Sequence, residues 1–316
     1  MGNVQPDRTT MTSLAQLQQQ FNMPGMAGVE AGRGGLPVVR IASPTAAGEM
    51  YLHGGHVTGW APAGGRQVLF VSDHARYEDG HAIRGGVPVC FPWFGALADR
   101  PDAPAHGCVR TKAWQLDAID RDGDAVRVTM STTSDDHTRH DWPGDFRLEH
   151  AVTFGTSLAM TLTTVNTGTT PFTFAEALHT YYRVGDIHEV GITGLAGIPY
   201  LDSLDGRRQG VDRGDLTFAG EVDRIYLGSA DPIRIEDRAL NRTLAIRAQD
   251  SRTTVVWNPW IRKARALADL GDDEWRDFVC VETCNVSPMA ISLAPGERHV
   301  MRVEIVSGTT GTTGGR

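Results

Sequence analysis

FRLEHAVTF (146–154) and LAMTLTTVNTG (158–168) alternate apolar with polar residues, and glycines lie at their ends. Alternation sends successive side chains to opposite faces of an extended chain, as in a strand with one buried face. AVRVTMST (125–132) precedes this pair and PFTFAEALHTYYRV (171–184) follows it. LPVVRIAS (36–43), GEMYLHGG (48–55), HVTGWAP (56–62) and RQVLFVS (66–72) come in quick succession. LTFAG, RTLAIRAQ, TTVVWNPW, FVCVETCNV and RHVMRVEIVS fill the last third. Strands at spacings of roughly 8–15 residues, with no long helical period, predict an all-β chain. No composition shift or linker divides it, so one large antiparallel β-sandwich is expected over 34–307.

Residues 1–33 read as an N-terminal extension. Residues 1–12 are polar and expected to be disordered; SLAQLQQQF (13–21) can form a short helix capped by Ser13, with Leu14, Leu17 and Phe21 on one face. GTTGTTGGR (308–316) has no apolar residue and is expected to be a flexible tail.

The chain has 316 residues, a net charge of −8 and a pI near 5.7. That balance argues against binding nucleic acid or an anionic membrane through the overall field. An anionic ligand must then be held by local cations, and these are arginines apart from Lys112 and Lys263. The four cysteines form no CxxC, no leader pattern opens the chain and no apolar run approaches a membrane span. A cytoplasmic monomer with reduced thiols is expected.

Four segments carry chemistry. AIRGGVPVCFPWFG (82–95) gathers glycines, prolines and aromatics around Arg84, as a ligand-binding loop or a packed aromatic loop would. AHGCVRTKAW (105–114), taken as a strand, turns His106, Cys108 and Arg110 to one face. In FTFAEALHTYYRV (172–184), Ala177, His179 and Tyr181 share a face, and His179 is either a hydrogen-bonded core residue or part of a cleft floor. Glu282 lies inside the apolar run FVCVETCNV with Cys280 and Cys284 on its face. It needs a partner or a shifted pKa, whether in an ion pair or in a site. The HxxH pairs at 53/56 and 137/140 and the CxxxC at 280/284 lack the spacing of a zinc site, so no metal is expected.

Taken together and in order, AIRGGVPVCFPWFG, HGCVRTKAW, EALHTYYRVGDI, VVWNPW and GDDEWRDFVCVETCNV resemble the D-hexose-6-phosphate mutarotases, a branch of the aldose 1-epimerase superfamily. The resemblance covers about residues 34–306. It implies a β-supersandwich of the galactose-mutarotase type and interconversion of hexose 6-phosphate anomers without cofactor or metal. It implies His179 as general acid, Glu282 as general base, Arg84 and Arg110 on the phosphate, His106 on the sugar and Asp202 on ring hydroxyls. Three features depart from the pattern: HGCVR stands where the family commonly has HGFAR, HGGH (53–56) is unusual, and the N-terminal extension has no counterpart. The alternatives are an aldose 1-epimerase acting on unphosphorylated sugars, a carbohydrate-binding protein without catalysis, and a structural sandwich.

Overall fold

The computed structural model describes residues 13–309 except Ala98. Phe146–Phe154 and Ser157–Asn166 pair antiparallel along their whole length, from Phe146↔Asn166 to Phe154↔Leu158. Leu158, Met160, Leu162 and Thr164 are buried, and the residues between them are half-exposed. The alternation in the sequence thus maps onto one packed face and one wet face.

Among the described residues this hairpin belongs to a nine-stranded sheet, with Ala125–Thr133 and Gln115–Asp122 on one side and Arg298–Thr309 and Arg242–Gln249 on the other. A second sheet of eight strands runs in the order Arg208–Val211, Pro199–Asp202, Val222–Tyr226, Thr253–Asn258, Phe278–Asn285, Glu176–Leu178, Val89–Cys90. Tyr181–Arg183 also pairs with Phe278–Asn285. Val128, Met130, Leu162 and Met301 of the first sheet meet Leu178, Val256, Val279 and Val281 of the second in one apolar core. Residues that alternate with these on the second sheet, Cys90, Ala177, Ile225, Val255 and Cys284, form a separate small cluster. The second sheet therefore has a core face and another face that is also apolar, and the latter carries the site.

A buried polar cluster crosses the core. Glu176 is fully buried; it accepts from Asn285 Nδ2 at 2.9 Å and from Thr164 Oγ1 at 3.2 Å, and pairs with His299 Nε2 at 3.0 Å. Glu176 and Asn285 belong to the eight-stranded sheet, Thr164 and His299 to the nine-stranded one. The bond set fixes one sheet against the other.

Order begins earlier than residue 34. Leu14–Phe21 is a helix with a capping box between Ser13 and Gln16, and Ala27–Ala31 pairs with Pro37–Ala42 at the edge of a four-stranded sheet. AGVEA carries little apolar bulk and sits among glycines, so its alternation is faint in the sequence. At the other end, Gly308 and Thr309 continue a strand opposite Thr243 and Arg242. The disorder expected for 1–12 and the tail 310–316 lie outside the described residues. RQVLFVS (66–72) is not a strand: Leu69 and Val71 make single bridges, and Phe70 N–H donates to Tyr181 O at 3.0 Å. Its apolar run is buried among loops, which periodicity cannot tell from a buried strand.

Replacing Glu176 by Ala should strand its buried partners and lower stability by about 3–5 kcal/mol. Chemical denaturation measures it, and a loss below about 1 kcal/mol, the scale of a surface pair, would contradict this account of the inter-sheet contact.

Candidate active site

The run AEALHTYYR is a single extended segment interrupted at His179 and Thr180. Its two pieces keep one register against Phe278–Asn285: Ala177 faces Cys284 and Tyr181 faces Cys280. That register leaves His179 opposite Glu282, and His179 Nε2 lies 3.3 Å from Glu282 Oε1. The His179 backbone N–H points away from that strand and donates to Pro88 O at 3.0 Å, in the same register as Ala175 N–H to Pro92 O and Tyr181 N–H to Gly86 O.

Both side chains are out of water, His179 at 6% exposure and Glu282 at 1%. His179 stacks on Tyr181 with ring centroids 5.0 Å apart, and the edges of His106 and Trp257 approach it at 5.4 and 5.9 Å. Cys280, Cys284 and Val255 flank Glu282 along the sheet. Burial lowers the His179 pKa well below the ordinary value, and the charges of His106, Arg110 and Arg84 push the same way. Burial raises the Glu282 pKa well above the carboxylate range; Asp223 adds to the rise and Arg110 opposes it. The histidine thus leaves the near-neutral range that its type suggests, whereas the rise at Glu282 follows from its apolar strand. His179 Nδ1 and Glu282 Oε2 are buried and make no hydrogen bond within the protein. Leaving such atoms unpaired costs about 1–3 kcal/mol each, so they mark a site rather than a stabilising ion pair.

Arginines converge on this pair. Arg84 donates from Nη1 to Tyr181 Oη at 3.1 Å and is held by Asp269 at 3.1–3.2 Å. Burial opposes its charge, but Tyr181 and Asp269 more than offset that and raise its pKa. Arg110 donates from Nη2 to Ala105 O at 2.8 Å, and its buried Nε has no partner within the protein. Segment 105–114 is not the expected strand. His106 has φ 63° and Gly107 φ 85°, and a Cβ on Gly107 would meet Phe91 O at 1.9 Å. The segment is therefore a tight turn against Phe91. It still brings His106 beside His179, with Arg110 close enough to depress both imidazoles. Cys108, expected on the same face, packs half-buried against the main core. A non-glycine at positive φ costs roughly 1–3 kcal/mol, and His106 is held there where its ring meets both His179 and Phe94.

Asp202 does not join this group. It pairs in register with Arg224, in line with Val256 and Val281 on the core side, and accepts the Leu204 N–H at 3.0 Å as a local cap. The aspartate on the site side is Asp223, which faces Trp257 and, beyond it, Cys280. Burial, first of all, raises its pKa, and its charge is felt at Glu282. In VDRIY (222–226) both charged residues sit in a short apolar strand, and only the register reveals which faces the site. Lys263, on the helix Trp260–Ala266, lies 3.9 Å from Asp223 and 3.4 Å from Glu221. That helix has too few residues to show a period against its all-β surroundings. The HxxH histidines His53 and His56 bond to backbone carbonyls, His81 O at 2.6 Å and Gly85 O at 2.7 Å.

A family model described as aldose 1-epimerase matches residues 37–305. The chain is 37% identical over 253 residues to an Escherichia coli K12 protein named "Putative glucose-6-phosphate 1-epimerase", covering 80% of this chain and 84% of that one. A Cenchrus ciliaris protein of the same name is 34% identical over 270 residues, covering 81% and 80%. A solved structure of a provisionally named mutarotase from Salmonella typhimurium superposes with a TM-score of 0.85 at 30% identity, over 92% of this chain and 96% of its own. A galactose mutarotase-like protein from Clostridium acetobutylicum has the same fold, with a TM-score of 0.69 at 13% identity over 90% and 98%.

Burial of histidines makes the fold sensitive to acid. The pKa of His56 is lowered to about 3, that of His106 to about 3 and that of His150 to about 4, burial being the largest cause in each. Below about pH 6.5 the unfolded chain binds protons that the folded chain refuses, so stability falls as pH falls. Between pH 6.5 and 5 each of the three should cost on the order of 2 kcal/mol. Urea midpoints measured across that range should drop steeply; a flat profile would contradict the buried, neutral state of these rings.

Proposed function

The chain belongs to the aldose 1-epimerase family and is an isomerase of the mutarotase type; from that premise we propose that it interconverts the α and β anomers of a hexose 6-phosphate, glucose 6-phosphate first among them. The observation that carries the substrate reading is the placement of two arginines beside the buried His179–Glu282 pair: Arg84 bonds Tyr181, which stacks on His179, and Arg110 has a buried Nε with no partner within the protein. A neutral sugar needs no such charge, whereas guanidinium forks match phosphate oxygens and bind them about twice as strongly as neutral donors do. The shared name of the relatives supports the same class.

Mutarotation moves two protons. Glu282 takes the proton of the anomeric O1 hydroxyl while His179 protonates the ring O5. The C1–O5 bond breaks and C1=O1 forms; the aldehyde turns about C1–C2. On reclosure the transfers reverse, so each group serves as acid and as base. O1 and O5 share one carbon, so a pair in contact can serve both from one side, and the two groups need not flank the ring from opposite sides. Burial favours the neutral pair, a carboxylic acid beside a neutral imidazole; once that proton passes to His179, the imidazolium out of water is a stronger acid and the carboxylate a stronger base. His106, whose lowered pKa keeps it neutral, offers a hydrogen-bond partner to the ring, and Asp223 can accept from its hydroxyls. The arginines hold the phosphate end and leave C1 free to turn.

Glu282→Gln should cut the exchange rate about 10²–10⁴-fold. Its folded-state pKa is raised, so its charge costs stability increasingly as pH rises above about 4.3. The same variant should therefore gain in thermal midpoint over the wild type at pH 8 and show little difference at pH 4. Equal rates, or a loss of stability at pH 8, would contradict the role given to Glu282. For the substrate, Arg84→Gln and Arg110→Gln should each raise KM for glucose 6-phosphate by about tenfold or more, with KM for glucose unchanged, as read by polarimetry. Equal changes for both sugars would favour an aldose 1-epimerase acting on free sugars.

A further inference from the structure

The HGGH turn at 53–56 takes no part in the steps above, yet it lies between the two arginine segments. On one side, His56 is fully buried and its Nε2 is 2.7 Å from Gly85 O, the residue after Arg84. Gly85 O can only accept, so Nε2 carries the proton. Val57 O, next in the chain, accepts the Val87 N–H at 2.8 Å. A Cβ on Gly86 would lie 2.3 Å from Val57 O and 2.9 Å from His56 Nε2, so the turn and the Arg84 segment are in backbone contact. On the other side, Gly54 N–H donates to Lys112 O at 2.8 Å and His53 bridges Ala113. Gly54 has φ +75°, and a Cβ there would lie 2.8 Å from Arg110 O and 3.2 Å from Arg110 Cα. The turn is fixed from behind, where Gly55 O accepts from His150 Nδ1 at 2.9 Å.

We propose that this turn is a positioning device: His56 and Gly54 set the separation of the Arg84 and Arg110 arms, and through it the preference for a phosphorylated sugar over a free one. The inference rests on the reading of these arginines as the phosphate site. A histidine suits the task because burial keeps its ring neutral, with a pKa pushed down to about 3. It remains a rigid donor to Gly85 O and adds no positive charge behind two arginines. Its pKa is depressed by burial first, and the charges of His53, Arg110 and His150 contribute, so the ring lies within the electrostatic reach of the second arm.

The test compares His56→Leu, which removes the donor, with His56→Gln, which can keep it. The readouts are KM and kcat for glucose 6-phosphate and for glucose, and inhibition by inorganic phosphate. His56→Leu should raise KM for glucose 6-phosphate and the inhibition constant for phosphate by about tenfold, within the range that small misplacements of a binding group cost. Its kcat should stay within about threefold, and its KM for glucose should not change. His56→Gln should restore most of the phosphate affinity. Gly54→Ala, which presses on Arg110 O, should show the same split. Parallel changes for both sugars, no change in the Leu variant, or loss of folding in both the Leu and Ala variants would give the turn a purely structural role and overturn the proposal. If Arg84→Gln and Arg110→Gln leave phosphate inhibition unaltered, the phosphate reading fails. If they shift it and His56→Leu does not, this inference alone fails.

Discussion

A carboxyl and an imidazole in contact, both taken out of water, are the constraint on which the rest of the molecule depends. Their contact at 3.3 Å needs two strands locked in one register, Ala177 against Cys284 and Tyr181 against Cys280. A slip of one residue would either turn Leu178 or Thr180 toward the site in place of His179 or bury Glu282 in the main core. The buried Glu176 contact resists such a slip. It ties the strand ends that carry the pair to Thr164 and His299 of the other sheet. The core contact thus fixes where two unpaired polar atoms, His179 Nδ1 and Glu282 Oε2, are presented. Those atoms are costly to bury, and the sandwich is large enough to bear the cost.

The sheet that carries the pair is apolar on both faces. The face toward the nine-stranded sheet is the main core; the other holds Cys90, Ala177, Ile225, Val255 and Cys284 as a dry floor around Glu282. That floor shifts both pKa values in opposite directions, and it keeps the thiols of Cys280 and Cys284 protonated and inert. Three loops complete the site above this floor. One brings Arg84, one brings His106 and Arg110 through a turn that only glycine at 107 permits, and one brings Asp269 to hold Arg84. The HGGH turn braces the first two.

Alternation in 125–168 made the sandwich legible in the sequence, because those strands have one wet face. The same logic gave the faces of Ala177/His179/Tyr181 and Cys280/Glu282/Cys284. It failed where the physics is not periodic. RQVLFVS is apolar because it is buried among loops, AGVEA forms an edge strand with little bulk, and 105–114 reads as a strand until two positive φ values bend it. Asp202 and Asp223 illustrate the remaining gap. Both lie in short strands near arginines, and only pairing to Val255–Trp257 shows that Asp223 shares the side of Glu282 while Asp202 shares the side of Val281. Lys263 was visible as one of two lysines, but its place beside Asp223 depends on a helix too short to announce itself.

The central claim is that a contacting His–Glu pair, flanked by two arginines, opens and closes the ring of a sugar phosphate. Magnetisation-exchange NMR on an equilibrium mixture of glucose 6-phosphate anomers, with catalytic amounts of the wild-type protein, measures this directly. The account predicts α–β exchange that is far faster than in buffer, proportional to protein concentration and suppressed by inorganic phosphate. Exchange no faster than in buffer alone, in a protein shown to be folded, would contradict it.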